Sequence, residues 1–220
     1  MRSRISLVCI AVSALLAAVS GMATAAPSFY GYTGLLVTPT ADALNEGEYN
    51  VAGFALDVEE GADSHVYAAN MGLAESLEVG FARLKPEGRS GETWINAKYR
   101  FLPETETHPA IAAGVFDLTD EVETSTYIVM SKSIAWRGST ELGEITAPRV
   151  HIGIAGGQID GLFAGISLGL GDRFLVMGEY DSENINFGAR LAISKEIRIH
   201  AGFLEGGDDF GLGLSFNKFL

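Results

Sequence analysis

Apolar and polar residues alternate with a period of two through most of the chain after residue 47. This alternation is typical of β-strands with one buried face, whereas a helix repeats its apolar positions every three or four residues. Turn-forming residues, mainly Gly, Pro, Asp and Asn, separate the alternating segments. The pattern predicts an all-β protein of about 12 antiparallel strands, within a range of about 10 to 14. The predicted strands cover residues 48–57, 64–71, 76–84, 93–102, 109–117, 124–135, 148–156, 161–169, 173–181, 184–193, 196–204 and 209–218.

The two faces of the predicted strands differ in a way that favours a membrane protein. Over residues 210–217, large apolar residues alternate with Gly, Ser and Asn. Small residues fit the crowded interior of a closed barrel, and large apolar residues on the outside fit lipid. We therefore expect an antiparallel up-and-down transmembrane β-barrel in the outer membrane of a bacterium of the Gram-negative type.

The first residues have the composition of an export signal. Basic residues and an apolar stretch open the chain, and Ala23-Thr24-Ala25 has the small-x-small pattern of a cleavage site. The predicted domains are a cleaved signal peptide over residues 1–25, an N-terminal plug-like segment at the barrel entrance over residues 26–47, and the β-barrel domain over residues 48–220.

The segment between the signal and the first strand contains a Thr-Pro-Thr element centred on Pro39. Proline lacks an amide hydrogen and disfavours helix at the residue before it, so residues 34–38 are predicted to be extended. Residues 45–47 are predicted to form a turn into the first strand. We expect the whole segment to lie in or across the periplasmic mouth of the barrel as a partial plug.

The chain is strongly acidic, with 15 Lys and Arg against 28 Asp and Glu and a formal net charge of −13. Such a charge excludes nucleic acid as a partner, because phosphate binding needs clustered Lys and Arg. Many carboxylates fall between the predicted strands, for example at 117–123. This leaves an alternative open, namely a soluble secreted or periplasmic β-sandwich that binds glycans or cations through acidic loops. The carboxylates lack the spacing of a calcium loop, and we predict no metal and no cofactor.

The predicted register places several polar side chains inside the barrel. Two interpretations are open: they line a pore or bind a ligand, or they form a hydrogen-bonded network that fills a small lumen. Because no nucleophile motif accompanies them, no catalytic residue and no enzyme activity are predicted. A barrel enzyme acting on lipid through its histidines is a third hypothesis. The lumen-lining candidates are His151, Glu179, Asn186, Arg190, Arg198 and His200.

Three short motifs near the front of the chain resemble the YjbH-like family of outer-membrane proteins. The first is "GLLVTPT" followed by a glycine before the first strand, and the others are "GLAESLEVGF" over 72–81 and "INAKYRFL" over 95–102. The resemblance implies an outer-membrane barrel associated with exopolysaccharide production and export, and it transfers no catalytic residue. The matching positions of the first motif are Gly34, Leu35, Leu36, Thr38, Pro39, Thr40 and Gly47.

Together, these observations favour a small outer-membrane β-barrel that is structural or forms a narrow pore, and that assists exopolysaccharide export or cell-surface assembly. Its expected partners are outer-membrane lipid, polysaccharide and envelope export proteins. Residues 137–147 are the longest connection and receive no assignment.

Overall fold

The computed structural model describes residues 25–59, 61–135, 138–140 and 143–220. The predicted signal peptide therefore lies, except for Ala25, outside the described residues. Among the described residues, no helix has the length and apolar composition needed to cross a membrane. The strands are β1 (Glu48–Asp57), β2 (Ser64–Ala74), β3 (Leu77–Pro86), β4 (Glu92–Leu102), β5 (Ala110–Phe116), β6 (Ser125–Ser133), β7 (Gly138–Thr140), β8 (Gly143–Gly156), β9 (Gly161–Leu170), β10 (Phe174–Tyr180), β11 (Ile185–Ala192), β12 (Ile197–Leu204) and β13 (Asp209–Phe219).

All strands belong to one antiparallel sheet that closes on itself. Each strand pairs with its neighbours in the sequence, except that β6 pairs directly with β8 and not with the short β7, and β1 pairs with β13. The wall is thus a closed barrel of twelve strands in the described part of the chain, which confirms the predicted fold class. Closure also shows that the β-sandwich alternative is wrong, because a sandwich needs two separate sheets.

The unassigned connection after β6 contains a further piece of the same sheet. β7 pairs only with the first residues of β8, so β7 and β8 form a hairpin that extends beyond the end of β6. β8 starts at Gly143, five residues before the predicted start at 148. Alternation alone did not reveal this extension.

The outward face of the wall is apolar. Phe81, Ile154 and Leu214 each keep about half of their surface exposed, at 51%, 51% and 55%. In water such a band would promote aggregation, whereas in a bilayer it is the surface that lipid requires. Among the described residues, every strand except the short β7 is paired on both sides. The protein is therefore an outer-membrane barrel.

The two ends of the barrel are called the N-terminal mouth and the loop mouth. At the N-terminal mouth, Gly47 leads into β1 and its carbonyl accepts a hydrogen bond from the Leu220 amide at 2.8 Å. At the opposite loop mouth lie the connections that follow β1, β3, β5, β8, β10 and β12. Acidic residues are concentrated in these loops, for example over 117–124 and 205–209.

Candidate functional site: a filled lumen

The interior of the barrel is occupied by the residues that precede β1. Within residues 25–44, named here the plug segment, every residue is buried except Tyr30, which is half-buried. The segment runs along the lumen and returns to the N-terminal mouth at residue 45. There, Glu48 N–H donates to the Asn45 carbonyl at 2.9 Å and Gly47 adopts a φ of 75°, a left-handed conformation that suits glycine.

The prediction that residues 34–38 are extended is wrong. Gly34 bridges to Pro39, and the Leu35 amide donates to the Thr38 carbonyl at 2.9 Å, so the stretch folds into a tight loop. The physical reason lies outside the segment, because its amide groups converge on a carboxylate of the wall.

That carboxylate belongs to Glu179 on β10. It accepts hydrogen bonds from the amides of Leu36 at 3.1 Å, Val37 at 2.7 Å and Thr38 at 3.2 Å, and from the Thr38 hydroxyl at 2.7 Å. Asn186 on β11 donates to it as well, at 3.3 Å. These donors replace the hydrogen bonds to water that the carboxylate loses on burial.

Arg190 on β11 also binds the plug segment, but it donates hydrogen bonds to carbonyl groups of the plug, whereas Glu179 accepts them from amides. Its Nη2 donates to three carbonyl oxygens at 3.2, 2.8 and 2.5 Å, those of Pro27, Gly34 and Leu35. Its Nε donates to His200 Nδ1 at 3.0 Å. Because Arg always donates, His200 must carry its proton on Nε2, from which it donates to the Ser215 hydroxyl at 2.7 Å.

Glu78 and Lys98 hold the middle of the plug segment. The two residues lie directly opposite each other on β3 and β4. Glu78 accepts from the Thr33 amide at 3.1 Å, the Thr33 hydroxyl at 2.6 Å and the Leu44 amide at 3.0 Å, while Lys98 donates to the carbonyls of Thr33 and Asp42. Among the described residues this pair makes no direct salt bridge, because each charge is used on the plug backbone.

An ion-pair network ties the end of the plug segment to β8. Arg149 contacts the Asp42 carboxylate and also pairs with Glu104 at 2.9 Å. Burial by itself would raise the pKa of Asp42, but the charge and hydrogen bond of Arg149 outweigh it and lower that pKa. Asp42 therefore stays ionised at neutral pH.

His151 on β8 lies against the plug segment through a serine. Its Nδ1 is 2.7 Å from the Ser131 hydroxyl, which accepts a hydrogen bond from the Ala41 amide at 2.9 Å. All three residues are buried. Among the described residues, no three His, Cys, Asp or Glu side chains are grouped closely enough to hold a metal ion.

The loop-mouth half of the lumen is packed with apolar side chains. Phe29 of the plug segment meets Phe54 with ring centroids 4.9 Å apart, and Tyr32 meets Phe116 at 5.8 Å. Small wall residues make room for this packing. A Cβ added to Gly188 would lie 2.5 Å from Leu36 Cδ2, closer than any real contact.

The structure places all six lumen candidates at buried positions. Glu179 and Arg190 bind the plug segment directly, and Asn186 and His200 bind these two side chains. Arg198 bonds Asn217 at 3.0 Å, which in turn donates to the Ala25 carbonyl at 2.9 Å. The six do not surround an open channel here, and their role as the lining of a pore stays a prediction.

A family model described as exopolysaccharide biosynthesis protein YbjH matches residues 26–149, which are 124 of the 220 residues. The chain belongs to the YjbH family. No curated protein matches the sequence. The YjbH match begins in the plug segment and continues into β8. The matched part therefore includes both the plug and about half of the barrel wall.

Solved structures of the KdgM porin share the fold of this YjbH-family chain. The KdgM porin superposes with a TM-score of 0.56 at 11% identity, covering 78% of this chain and 99% of that chain. The KdgM porin in complex with disordered oligogalacturonate gives 0.52 at 10% identity, with 79% and 99% covered. The Acinetobacter baumannii outer membrane protein Omp33 gives 0.48 at 11% identity, with 80% and 99% covered. At this identity the KdgM likeness shows a porin-like fold alone.

Sequence reasoning missed Glu78, Lys98, Asp42 and Arg149 as site residues of the YjbH-family barrel. A signal for two of them was available, because Glu78 and Lys98 stand at inward positions of the alternation in the motifs "GLAESLEVGF" and "INAKYRFL". A charge on the inward face of a small barrel needs a partner, and the plug backbone supplies it.

Proposed function

We propose that this YjbH-family protein is a plugged outer-membrane channel that takes part in exopolysaccharide export, and that its plug segment opens and closes the lumen. The observation that carries the proposal is the burial of residues 25–44 inside a porin-like barrel. A lumen occupied by a buried segment passes no solute until the segment moves. The exopolysaccharide description of the family supports the substrate class.

The opposed pair Glu78 and Lys98 gives a physical reason why displacement is reversible. With the plug in place, both side chains bond plug backbone. When the plug leaves, the two charges face each other across adjacent strands and are free to pair directly. Direct pairing, together with the water that enters the opened lumen, offsets part of the bonding that both charges lose.

A reversible cross-link between plug and wall tests the gate. The Ala41 amide lies 2.9 Å from the Ser131 hydroxyl, so these two residues are in contact, and Ala41→Cys with Ser131→Cys is the pair chosen for a disulfide. The one natural cysteine, Cys9, falls in the predicted signal, so the mature chain has no competing thiol. We expect no ion current through the oxidised protein in a planar bilayer, and current steps after reduction.

Ser131→Cys alone is the matched control, and its current is expected not to change with oxidant. Equal current before and after reduction of the double variant contradicts gating by the plug. No current in either state contradicts a channel and favours the second candidate function.

The second candidate is a purely structural role in cell-surface assembly. The apolar packing of Phe29 and Tyr32 in the loop-mouth half favours it, because this packing resembles a permanent core. Released exopolysaccharide separates the two functions. Cells that carry only the cross-linked variant lose export if the plug must move, and retain it if the barrel is a static component.

A further inference from the structure

An apolar groove of about 500 Å³ lies on the outer face of the barrel, in the half nearer the N-terminal mouth. Its floor is Ala69 on β2, whose register partners Val51 on β1 and Phe81 on β3 form the sides. The next row of residues toward the N-terminal mouth continues the groove. This row consists of Tyr49, Met71 and Val79.

The groove faces the hydrocarbon of the membrane. The side chains of Ala69, Val51 and Phe81 point away from the lumen, and Val51 and Phe81 keep 43% and 51% of their surface exposed. Atoms that line an unfilled void lose their dispersion contacts, so a groove in this position gains from a flexible apolar occupant. A polar peptide segment gains nothing there, because hydrocarbon offers its backbone no hydrogen bonds.

A cation lies beside the row of the groove that contains Tyr49. Lys218 lies opposite Tyr49 in the β1–β13 register and is exposed at the N-terminal mouth. In the described part of the chain, no carboxylate lies within salt-bridge distance of its ammonium group. A lysine beside an interfacial tyrosine sits at the depth of lipid phosphate groups.

We propose that this groove binds one glycerophospholipid of the leaflet at the N-terminal mouth, with an acyl chain lying over Ala69 and its phosphate beside Lys218. The small side chain at position 69 sets the depth of the site, and Lys218 sets the orientation of the lipid. The proposal is independent of the plug, because none of these side chains contacts the lumen.

Photo-cross-linking tests the site. The full-length mature barrel is placed in nanodiscs that contain a phosphatidylglycerol with a diazirine on one acyl chain, and labelled peptides are mapped by mass spectrometry. We expect labelling to concentrate on β1 to β3. Ala69→Phe fills the floor, and we expect it to lower labelling there about fivefold, the equivalent of about 1 kcal/mol of lost acyl burial.

Ala164→Phe is the matched control, because Ala164 is an outward alanine on β9, six strands away around the barrel. It should leave labelling of β1 to β3 unchanged. Lys218→Gln should lower labelling by a phosphate lipid up to about fivefold, since a lysine near a lipid surface contributes about 1 kcal/mol. A heat-dependent shift on a denaturing gel confirms that each variant is folded.

Even labelling around the whole barrel overturns the proposal, as does unchanged labelling in folded Ala69→Phe. Protection of the groove by a second copy of the chain or by another protein also overturns it. Stronger labelling by a diazirine lipid A than by the phospholipid would show that the occupant is not a glycerophospholipid.

Discussion

Toward the loop mouth the plug segment meets apolar side chains such as Phe54 and Phe116, whereas toward the N-terminal mouth it meets Glu78, Lys98 and Arg190. Apolar packing is not directional, so the first half excludes water and holds the plug by its shape, without pairing particular groups. Charged hydrogen bonds are directional, so the second half fixes which plug residue meets which strand. Glu179 is the exception, because it is a carboxylate near the loop mouth.

We expect the largest effect from removing the Glu179 carboxylate. Glu179→Leu leaves the amides of Leu36, Val37 and Thr38 buried without an acceptor, and each unpaired group costs about 1–3 kcal/mol. We expect this loop to undock, with amide hydrogen exchange at 36–38 rising at least about 100-fold. Glu183→Gln, at an exposed carboxylate, is the control. Unchanged exchange at 36–38 would show that the contact does not hold the loop.

Phe29→Ala weakens the apolar half and should cost about 3 kcal/mol, as is usual for a buried phenylalanine. Because no donor or acceptor is orphaned, we expect faster exchange along the whole plug segment instead of a local maximum. Urea unfolding in detergent measures the total loss. Leu214→Ala, on the lipid-facing side, should change it much less. A strictly local effect of Phe29→Ala would contradict the distinction between the two halves.

Gly188→Val tests the fit between plug and wall without removing any bond. The added Cβ meets Leu36 Cδ2 of the plug at 2.5 Å and the Ala201 carbonyl of the neighbouring strand at 2.6 Å, so both the plug and the wall must adjust. Overpacking of this kind costs about 2 kcal/mol. We expect more frequent current steps in a planar bilayer. Ala189→Val, the outward neighbour on the same strand, should behave like the natural protein, and equal behaviour of the two variants would mean that the lumen is loosely filled.

The smallest expected effect is a pH dependence of the polar half. The lowered pKa of Asp42 means that its pair with Arg149 contributes fully above the ordinary carboxyl range and is lost as pH falls through the lowered value. Exchange at residues 41–44, corrected for intrinsic rates, should therefore rise only once the pH falls below the ordinary carboxyl range. Asp42→Asn should remove this pH dependence. If the variant keeps the same pH profile, another titratable group causes it.

The wall was predictable from the sequence, because alternation fixes both the existence of a strand and the face that it buries. Predicted and observed bounds coincide for β1 and differ by one residue at each end of β5, β10 and β11. The outward set of the last strand, which includes Leu212 and Leu214, was also assigned correctly. Lipid outside and crowding inside leave little freedom in the register of such a strand.

The filling of the lumen was not predictable in the same way. The plug segment has no regular repeat of apolar and polar residues, because different wall residues hold its different parts. Pro39 indicated an extended stretch by local preference, and the carboxylate of Glu179, far away in the chain, overrode that preference. The inward positions of Glu78 and Lys98 indicated that these charges need partners. Their partners are mainly backbone groups of the plug, which every sequence contains, so the sequence could not identify them.

The contact between Glu179 and the Leu36–Thr38 loop joins residues 141 to 143 positions apart in the chain. The plug segment precedes β1, while the seam of the barrel forms only when β1 pairs with β13. A plug that leaves and re-enters the closed barrel must form these contacts again after the seam is complete. Contacts of such long range form slowly because loop-closure entropy opposes them, so we expect the plug to dock late, after neighbouring strands have paired.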